Sequence, residues 1–324
     1  MKKVLILHTG GTIAMHEDPE SGSVVTDPQN PLLTSSLTLE SGTELIIEDF
    51  LNVPSPHITP THMLHLKERI QKAHTEGVYG VVITHGTDTL EETAYFLDIT
   101  IGQLMPIVLT GAMRSSNEIG SDGLYNFQSA IRVASAKQSK GKGVLVVMND
   151  EIHTARYVTK THTTNVATFR TPTFGPIGLI TKSKILFFQE LTQTSQLAIQ
   201  SVTGTIPIVK AYAGMEETLL TILSEAQLDG LVIEALGAGN LPPKTLPAIQ
   251  KLLDKKVPIV LVSRCFNGIA EGVYGYEGGG KQLIDLGVMF CTGLNSQKAR
   301  IKLLVALNHQ MSSNALVEFI TTEG

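Results

Sequence analysis

The chain has 324 residues, 42% of them hydrophobic and 17% charged, which is typical of a globular protein with a full apolar core. Its formal net charge of −5 provides no basic surface for nucleic acid, and no apolar stretch approaches the roughly 18 residues that a membrane span needs. Two cysteines and ten scattered histidines form no metal-ligand motif. We therefore expect no metal, no nucleic-acid partner and no membrane partner.

The chain begins with a short apolar run, Val4-Leu5-Ile6-Leu7, which predicts a buried strand because it is too short for a helix. The run leads into His8-Thr9-Gly10-Gly11 without a cleavage-type segment, so we interpret it as the first strand of a cytoplasmic protein and not as a signal peptide. Residues 16–31 are polar and rich in Gly, Pro, Asp and Ser. They predict an exposed loop, which is either a lid over the neighbouring Thr-Gly segment or an ordinary surface excursion.

Strand and helix patterns alternate through the rest of the first half. Helices are expected to begin after Thr61, at Thr89 and at Asp122, where Thr89 and Glu92 have the spacing of a capping box. On the Asp122 helix, the spacing predicts inward-facing side chains at Leu124, Phe127, Ile131 and Ala134. Apolar runs predict strands at residues 44–50, 81–84, 105–110 and 143–148.

Signals for both kinds of element become sparse over residues 151–205, where Thr and Pro are frequent. Alternation then resumes, with strands expected at 206–211, 230–235, 258–262 and 288–291 and helices at 216–226, 245–253, 281–285 and from 295 onward. This pattern predicts an α/β protein with two domains, a larger N-terminal one with a mostly parallel, doubly wound sheet and a smaller C-terminal one. We place the N-terminal domain at residues 1–190, a linker at 191–205 and the C-terminal domain at 206–324.

Two Thr-Gly segments follow predicted strands and carry the chemistry of the chain. The first contains Gly10-Gly11-Thr12, and the second contains His85-Gly86-Thr87-Asp88. In open α/β sheets, ligands bind at the carboxyl ends of the strands, and glycine lets the backbone approach a ligand closely. The threonine hydroxyls are candidate nucleophiles, and the turns could supply backbone N–H groups to a developing oxyanion. Asp88 could bind a substrate ammonium group.

The motifs of nucleotide-binding proteins and of α/β-hydrolases are absent from the sequence. The chain has no GxxxxGK[ST] sequence, no GxGxxG after its first strand and no GxSxG nucleophile elbow. A threonine nucleophile needs a base, which could be a lysine with a lowered pKa, but residue patterns alone do not say which lysine.

The two segments together resemble the paired signatures of bacterial-type L-asparaginases. Both Thr9-Gly10-Gly11-Thr12-Ile13-Ala14 and His85-Gly86-Thr87-Asp88-Thr89 match, in the right order. The resemblance continues through Gly111-Ala112-Met113-Arg114, Ser121-Asp122-Gly123, residues 143–150, Arg156, Thr159-Lys160-Thr161, residues 167–169 and residues 293–300. It therefore covers nearly the whole chain.

The resemblance implies hydrolysis of L-asparagine to L-aspartate and ammonia through an acyl-enzyme, without a cofactor. It makes Thr12 the primary nucleophile and Thr87 the second catalytic threonine, paired with Asp88 and a helix lysine. Counting back from the strand at 143–148 assigns that lysine to Lys137, on the same side of its helix as the inner positions Ile131 and Ala134.

The resemblance also implies a set of substrate-binding residues. Ser55 would bind the substrate α-carboxylate, Asp88 the α-ammonium and the carbonyl of Ala112 the side-chain amide, while Gly11 and Gly86 form the surrounding turns. Asn240 matches a position that completes the pocket from a neighbouring subunit, so a homodimer or homotetramer is expected.

Two departures from the family pattern affect these assignments. Proline flanks Ser55 on both sides, where the periplasmic enzymes have glycine and glutamine. The periplasmic enzymes also carry a tyrosine in the loop after the nucleophile, whereas this chain has none before Tyr79. Other members draw the tyrosine from a YxxG segment in the second domain, which Tyr276-Glu277-Gly278-Gly279 matches, so Tyr276 is the candidate to assist Thr12.

Three alternatives stay open at this point. The protein could be a glutaminase or another amino-acid amidase, or a glutaminyl amidotransferase subunit. It could also be a non-catalytic amino-acid sensor that kept the pocket, although a sensor has no need of a nucleophile.

Overall fold

A computed structural model of the chain describes residues 1–26, 32, 42–191 and 195–322. The chain divides into two compact units, Met1–Gln196 (unit 1) and Leu197–Gly324 (unit 2). The predicted boundaries at 190/191 and 205/206 remain predictions. Among the described residues, no helix is both long enough and apolar enough to span a bilayer.

Unit 1 contains a mixed sheet that, among the described residues, has eight strands in the order β12-β11-β8-β7-β6-β5-β1-β4. Neighbouring pairs among β4, β1, β5, β6 and β7 are parallel, whereas β8, β11 and β12 continue the sheet in antiparallel pairing. The strands of this sheet are β1 (Lys2–His8), β4 (Thr43–Asp49), β5 (Gly80–Thr84), β6 (Ile107–Thr110), β7 (Val144–Met148), β8 (Glu151–Thr154), β11 (Gly178–Ile180) and β12 (Ile185–Phe187).

The strand order explains where a ligand site can form. From β1 the chain passes to β4 on one side and then to β5 on the other side, so the connections leave the ends of β1 and β5 in opposite directions. Such a switch point opens a crevice at the carboxyl ends of the two strands, which is where open α/β sheets bind ligands. The two Thr-Gly segments follow these two strands.

Helices cover the sheet of unit 1. They are α1 (Pro60–Thr75), α2 (Leu90–Ile101) and α3 (Gly123–Ser135). Helix α3 packs its buried Phe127, Ile131 and Ala134 into one core cluster with alternate residues of β1, such as Val4 and Ile6. Leu124, predicted to face inward on the same helix, is instead 41% exposed.

Several local expectations for unit 1 are corrected. Residues 15–26 form a hairpin instead of an irregular loop, with β2 (Met15–Glu17) paired to β3 (Val24–Thr26). The part of the predicted loop at 27–31 lies outside the described residues. The region after residue 150, where signals were sparse, contains β8, β11 and β12 and a separate two-strand pair, β9 (Thr159–Lys160) with β10 (Phe169–Arg170).

The predicted capping box at Thr89 is also wrong. Thr89 is the N-cap of α2, but its side chain makes no capping hydrogen bond. Its hydroxyl instead donates to the carbonyl of Ser55 at 2.8 Å. A long-range contact has therefore replaced the local one that the sequence spacing favoured.

Unit 2 has a parallel sheet that, within the described residues, runs in the order β13-β14-β15-β16. The strands are β13 (Ile208–Lys210), β14 (Leu231–Ala235), β15 (Ile259–Ser263) and β16 (Met289–Phe290), and the helices are α4 (Thr218–Glu225), α5 (Leu246–Asp254), α6 (Gly280–Leu286), α7 (Ser296–Asn308) and α8 (Ser313–Thr321). Its core includes Leu231, Ile233, Ile249, Leu252 and Leu283, all almost fully buried. Helix α8 is an element that the sequence analysis did not separate from α7.

Candidate active site

The turns that follow β1 and β5 lie in direct contact. The register places His8 beside Thr84, so the chain leaves both strands at the same height. Gly11 has φ +85°, and a Cβ built on it would lie 2.3 Å from the Cα of Gly86. No side chain fits in that space, and the two Thr-Gly turns therefore meet backbone to backbone.

Thr12 comes directly after this contact and starts a 3-10 turn, Thr12–Ala14. Ile13 and Ala14 are buried, whereas Thr12 is partly exposed. The N–H of Ala14 donates to the carbonyl of Gly11 at 2.9 Å, which closes the turn. Burial of the next two residues fixes the backbone of Thr12 while its side chain stays accessible.

Thr87 and Asp88 are joined by a lysine. Lys160 Nζ donates to Thr87 Oγ1 at 2.9 Å and to Asp88 Oδ1 at 2.7 Å. The Lys160 side chain is 17% exposed and that of Asp88 is 58% exposed. A cleft of about 510 Å³ opens beside this ion pair, lined by Asp88 and residues 160–163. The cluster therefore combines a hydroxyl, a carboxylate and an ammonium group at the carboxyl end of β5.

The structure does not bring the predicted Lys137 to this cluster; the lysine in contact with Thr87 and Asp88 is Lys160. Lys137 is exposed in a short 3-10 turn after α3. Helix α3 returns antiparallel to the strands it connects, so its carboxyl end lies at the amino edge of the sheet, opposite to Thr87. Lys160 was part of the Thr159-Lys160-Thr161 match, which was the only signal that could have identified it.

Ser55 lies at the base of the same crevice. It is 5% exposed and begins a 3-10 turn that Pro54 caps. The Ser55 Oγ accepts from the N–H of Asp88 at 3.2 Å. A Cβ built on Gly86 would lie 2.7 Å from the Cβ of Ser55. Because the hydroxyl uses an acceptor position for Asp88, its proton can be donated to a bound ligand.

The loop that carries Ala112 is held by α3. The Asp122 carboxylate accepts from the N–H groups of Met113 and Arg114 at 3.0–3.1 Å, so it does not cap its own helix. Asn126 Nδ2 donates to the carbonyl of Gly111 at 3.1 Å and to Asp122 at 2.9 Å. These contacts fix the backbone on both sides of Ala112, which is 1% exposed.

Two buried histidines lie beneath the turns. His85 Nδ1 lies 2.8 Å from the carbonyl of Gly86, and its Nε2 lies 2.9 Å from Thr93 Oγ1 on α2. Burial lowers the pKa of His85 to about 4, although the Gly86 hydrogen bond opposes the shift. Burial also lowers the pKa of His8 to about 4, opposed by the charge of Asp49. Both imidazoles are therefore neutral near pH 7 and act as hydrogen-bonding supports.

Two predicted site residues, Asn240 and Tyr276, belong to unit 2. Asn240 accepts a hydrogen bond from the N–H of Gly280 at 3.1 Å. Tyr276 is 54% exposed, and its ring centroid lies 5.5 Å from that of Tyr274. Their predicted roles toward the substrate and Thr12 remain predictions.

Two family profiles match the chain. The sequence profile described as "Asparaginase, N-terminal" matches residues 3–193, and that described as "Glutaminase/Asparaginase C-terminal domain" matches residues 205–320. The chain belongs to the asparaginase family. The predicted family is therefore confirmed.

Individual members of the asparaginase family align over almost the whole chain. A probable L-asparaginase of Deinococcus radiodurans is 40% identical over 95% of this chain and 94% of that protein. The L-asparaginase of Bacillus licheniformis is 36% identical over 94% of this chain and 95% of that protein. The crystal structure of a probable cytoplasmic L-asparaginase from Campylobacter jejuni superimposes with a TM-score of 0.85 at 32% identity, covering 100% of both chains. The predicted α/β fold class is confirmed as well.

Proposed function

We propose that the protein hydrolyses L-asparagine to L-aspartate and ammonia through a threonine acyl-enzyme. The observation that carries the proposal is the Thr87–Asp88–Lys160 cluster beside the contact of Gly11 with Gly86, in a member of the asparaginase family. Thr12 and Thr87 each follow one of the two touching turns, so both hydroxyls serve one crevice.

In the first step, Thr12 Oγ attacks the carboxamide carbon of asparagine. A C–O bond forms, the C–N bond breaks, and the proton of the Thr12 hydroxyl leaves with the nitrogen as ammonia. Thr87 and Lys160 relay this proton: with Lys160 as the free amine, the Thr87 hydroxyl passes it to Lys160 Nζ, and it returns along the same hydrogen bond to the departing nitrogen. Water then attacks the ester, which releases aspartate and regenerates Thr12.

The remaining predicted residues orient the substrate. Ser55 donates its hydroxyl proton to the α-carboxylate, and the exposed oxygen of Asp88 accepts from the α-ammonium. The carbonyl of Ala112 accepts from the carboxamide N–H, and the N–H groups of the Gly11 and Gly86 turns donate to the oxygen that gains negative charge. The contacts that fix these backbones support the assignment.

The decisive experiment measures ammonia release by the purified protein with Thr12→Ala and Thr12→Ser. We expect Thr12→Ala to lose at least about a thousandfold in kcat because no nucleophile remains, while Thr12→Ser keeps a hydroxyl and measurable turnover. Circular dichroism checks that both variants fold. A fully active Thr12→Ala protein would refute the proposal.

A matched pair of lysine variants, measured in the same assay, tests the assignment of the catalytic lysine to Lys160. Lys160→Met is expected to lower kcat by at least about a hundredfold, because the ammonium next to Thr87 is removed. Lys137→Met is expected to leave kcat unchanged, since the side chain is exposed at the other edge of the sheet.

Glutamine hydrolysis is the second candidate activity, favoured by the profile match to a glutaminase/asparaginase C-terminal domain. Turnover of glutamine and asparagine by the protein alone separates the two. An amidotransferase subunit would need a partner for activity, and a sensor would bind aspartate or asparagine in calorimetry without releasing ammonia.

We also propose a cytoplasmic homodimer or homotetramer. The likeness to a structure titled a cytoplasmic L-asparaginase supports the location. The loop after β15 supports assembly, because it exposes large apolar side chains, Phe266 at 62%, Val273 at 60% and Tyr274 at 46%.

A further inference from the structure

Glu91 is a buried carboxylate beside the proposed catalytic cluster. It lies in the first turn of α2, three residues after Asp88, and is 4% exposed. A charged group is rarely buried unless polar partners compensate for the lost hydration. Its partners therefore indicate what the side chain is there to hold.

Two of those partners lie on β9, the strand that carries Lys160. Glu91 Oε1 accepts from Thr159 Oγ1 at 3.1 Å, and the backbone N–H of Lys160 points to the same oxygen at 3.5 Å. The hydroxyl contact is a normal hydrogen bond, and the second contact lies at the limit for one. One carboxylate oxygen thus contacts two consecutive residues of β9.

Strand β9 has little sheet pairing of its own. Among the described residues it has two residues and pairs only with the two-residue β10, so it is not part of the eight-stranded sheet. A two-residue strand pair offers few ladder hydrogen bonds to fix the backbone from which the long Lys160 side chain extends. Helix α2, in contrast, begins directly after the Thr87-Asp88 turn.

We propose that Glu91 is a positioning residue that fixes the Lys160 ammonium against Thr87 and Asp88; the inference rests on the proposed function of those three residues. Lys160 is held at both ends by the same stretch of chain. Residues 87 and 88 bind its ammonium, and the Glu91 carboxylate contacts its backbone N–H and the side-chain hydroxyl of Thr159. The start of α2 therefore holds both the threonine and the lysine that exchange the proton.

The test measures kcat for asparagine hydrolysis in Glu91→Ala, Glu91→Gln and Glu92→Ala. We expect Glu91→Ala to lower kcat at least about tenfold and Glu91→Gln to restore it to within about threefold of wild type, because glutamine keeps the acceptor oxygen. Glu92→Ala removes the same charge from the same helix turn, so it controls for a helix-terminus effect and is expected to stay within about twofold.

Substitutions of Thr159 provide a second pair of variants, which leave the buried Glu91 carboxylate in place. Thr159→Val removes the hydroxyl donor at nearly constant volume and is expected to lower kcat severalfold, whereas Thr159→Ser keeps it. If Glu91→Gln falls as far as Glu91→Ala, or if Thr159→Val matches wild type, the positioning role is wrong.

A double variant separates positioning from general packing. In the Lys160→Met background, Glu91→Ala is expected to cause no further loss in kcat, since the group it positions is already absent. An equal loss in both backgrounds would show that Glu91 acts only on the fold. A fully active Lys160→Met protein would refute the proposed role of the lysine itself, whereas a normal Glu91→Ala beside an inactive Lys160→Met would overturn the Glu91 inference alone.

Discussion

At the residue scale, the contact of Gly11 with Gly86 determines the geometry of the site. Gly11 has φ +85° and ψ 175°, a backbone region that only glycine occupies readily. The space for a side chain is also absent, because a Cβ would lie 2.3 Å from Gly86 Cα and 2.4 Å from Gly86 N. Glycine is required here both by the backbone angle and by the approach of the second turn.

Gly11→Ala is therefore expected to separate the two turns and to lower activity strongly. Gly77→Ala is the matched control, because Gly77 has φ +79° but a Cβ there would meet no atom within 4 Å. We expect Gly77→Ala to cost about 1–2 kcal/mol of unfolding free energy from backbone strain with kcat unchanged. Gly11→Ala should cost more and also lower kcat/KM at least about a hundredfold. Equal effects of the two substitutions on denaturation and turnover would contradict this account.

At the element scale, β5 and α2 are joined by His85, whose ring contacts Gly86 and Thr93 at once. Its environment requires the neutral form, and the same holds for His8 at the end of β1. In the unfolded chain both return to a pKa of about 6.5. Between pH 6.5 and 4, the unfolded state therefore binds more protons than the folded state, and stability decreases as the pH falls.

Unfolding by denaturant at several pH values measures this effect. We expect the free energy of unfolding to fall between pH 6.5 and about 4 and to show no further histidine effect below that, with up to about 3 kcal/mol contributed by each buried histidine. His85→Gln should reduce the slope, whereas substitution of the exposed His65 by Gln should leave it unchanged. An identical slope in His85→Gln would show that this histidine is not the source.

Helix direction is another property that only the element scale reveals. The sequence correctly placed Ile131 and Ala134 on the inner side of α3, and Lys137 follows at helical spacing. The face of a helix is local information, but the end of the sheet at which the helix stops depends on the βαβ crossover. Lys137 was therefore assigned to a plausible helix face, but it lies beyond the end of α3, at the edge of the sheet opposite to Thr87.

At the scale of the whole molecule, each unit has its own hydrophobic core, one around β1 and α3 and the other around β14 and α5. The exposed loop after β15 belongs to unit 2 and exposes apolar side chains such as Phe266 and Val273, whose burial would stabilise an assembly.

Light scattering on the purified protein tests the proposed assembly. Since one chain has a mass of 34.9 kDa, we expect a mass of two or four chains at micromolar concentration. Phe266→Ser combined with Val273→Ser should shift the mass toward one chain, whereas Ile119→Ser, which removes a 96% exposed apolar side chain from unit 1, should not. A monomeric wild-type protein would exclude the homo-oligomer.

The sequence by itself determined the α/β class, the order of most elements and the two Thr-Gly turns. These follow from short-range properties, such as buried apolar runs, helical spacing and glycine at strand ends, that a few neighbouring residues express. The family was accessible because the residues that carry the resemblance, such as Thr12, Thr87 and Asp88, lie inside contiguous motifs next to their strands.

Only the tertiary structure decided which groups meet across large sequence separations. Lys160 reaches Thr87 over 73 positions and Thr89 donates to Ser55 over 34, so neither contact is expressed in local patterns. The capping spacing at Thr89 and the helix face of Lys137 pointed elsewhere, because local preferences are weak compared with contacts set by strand order and crossover direction. The position of Glu91 against β9 belongs to the same class, since burial and hydrogen bonding identify it only after the chain is folded.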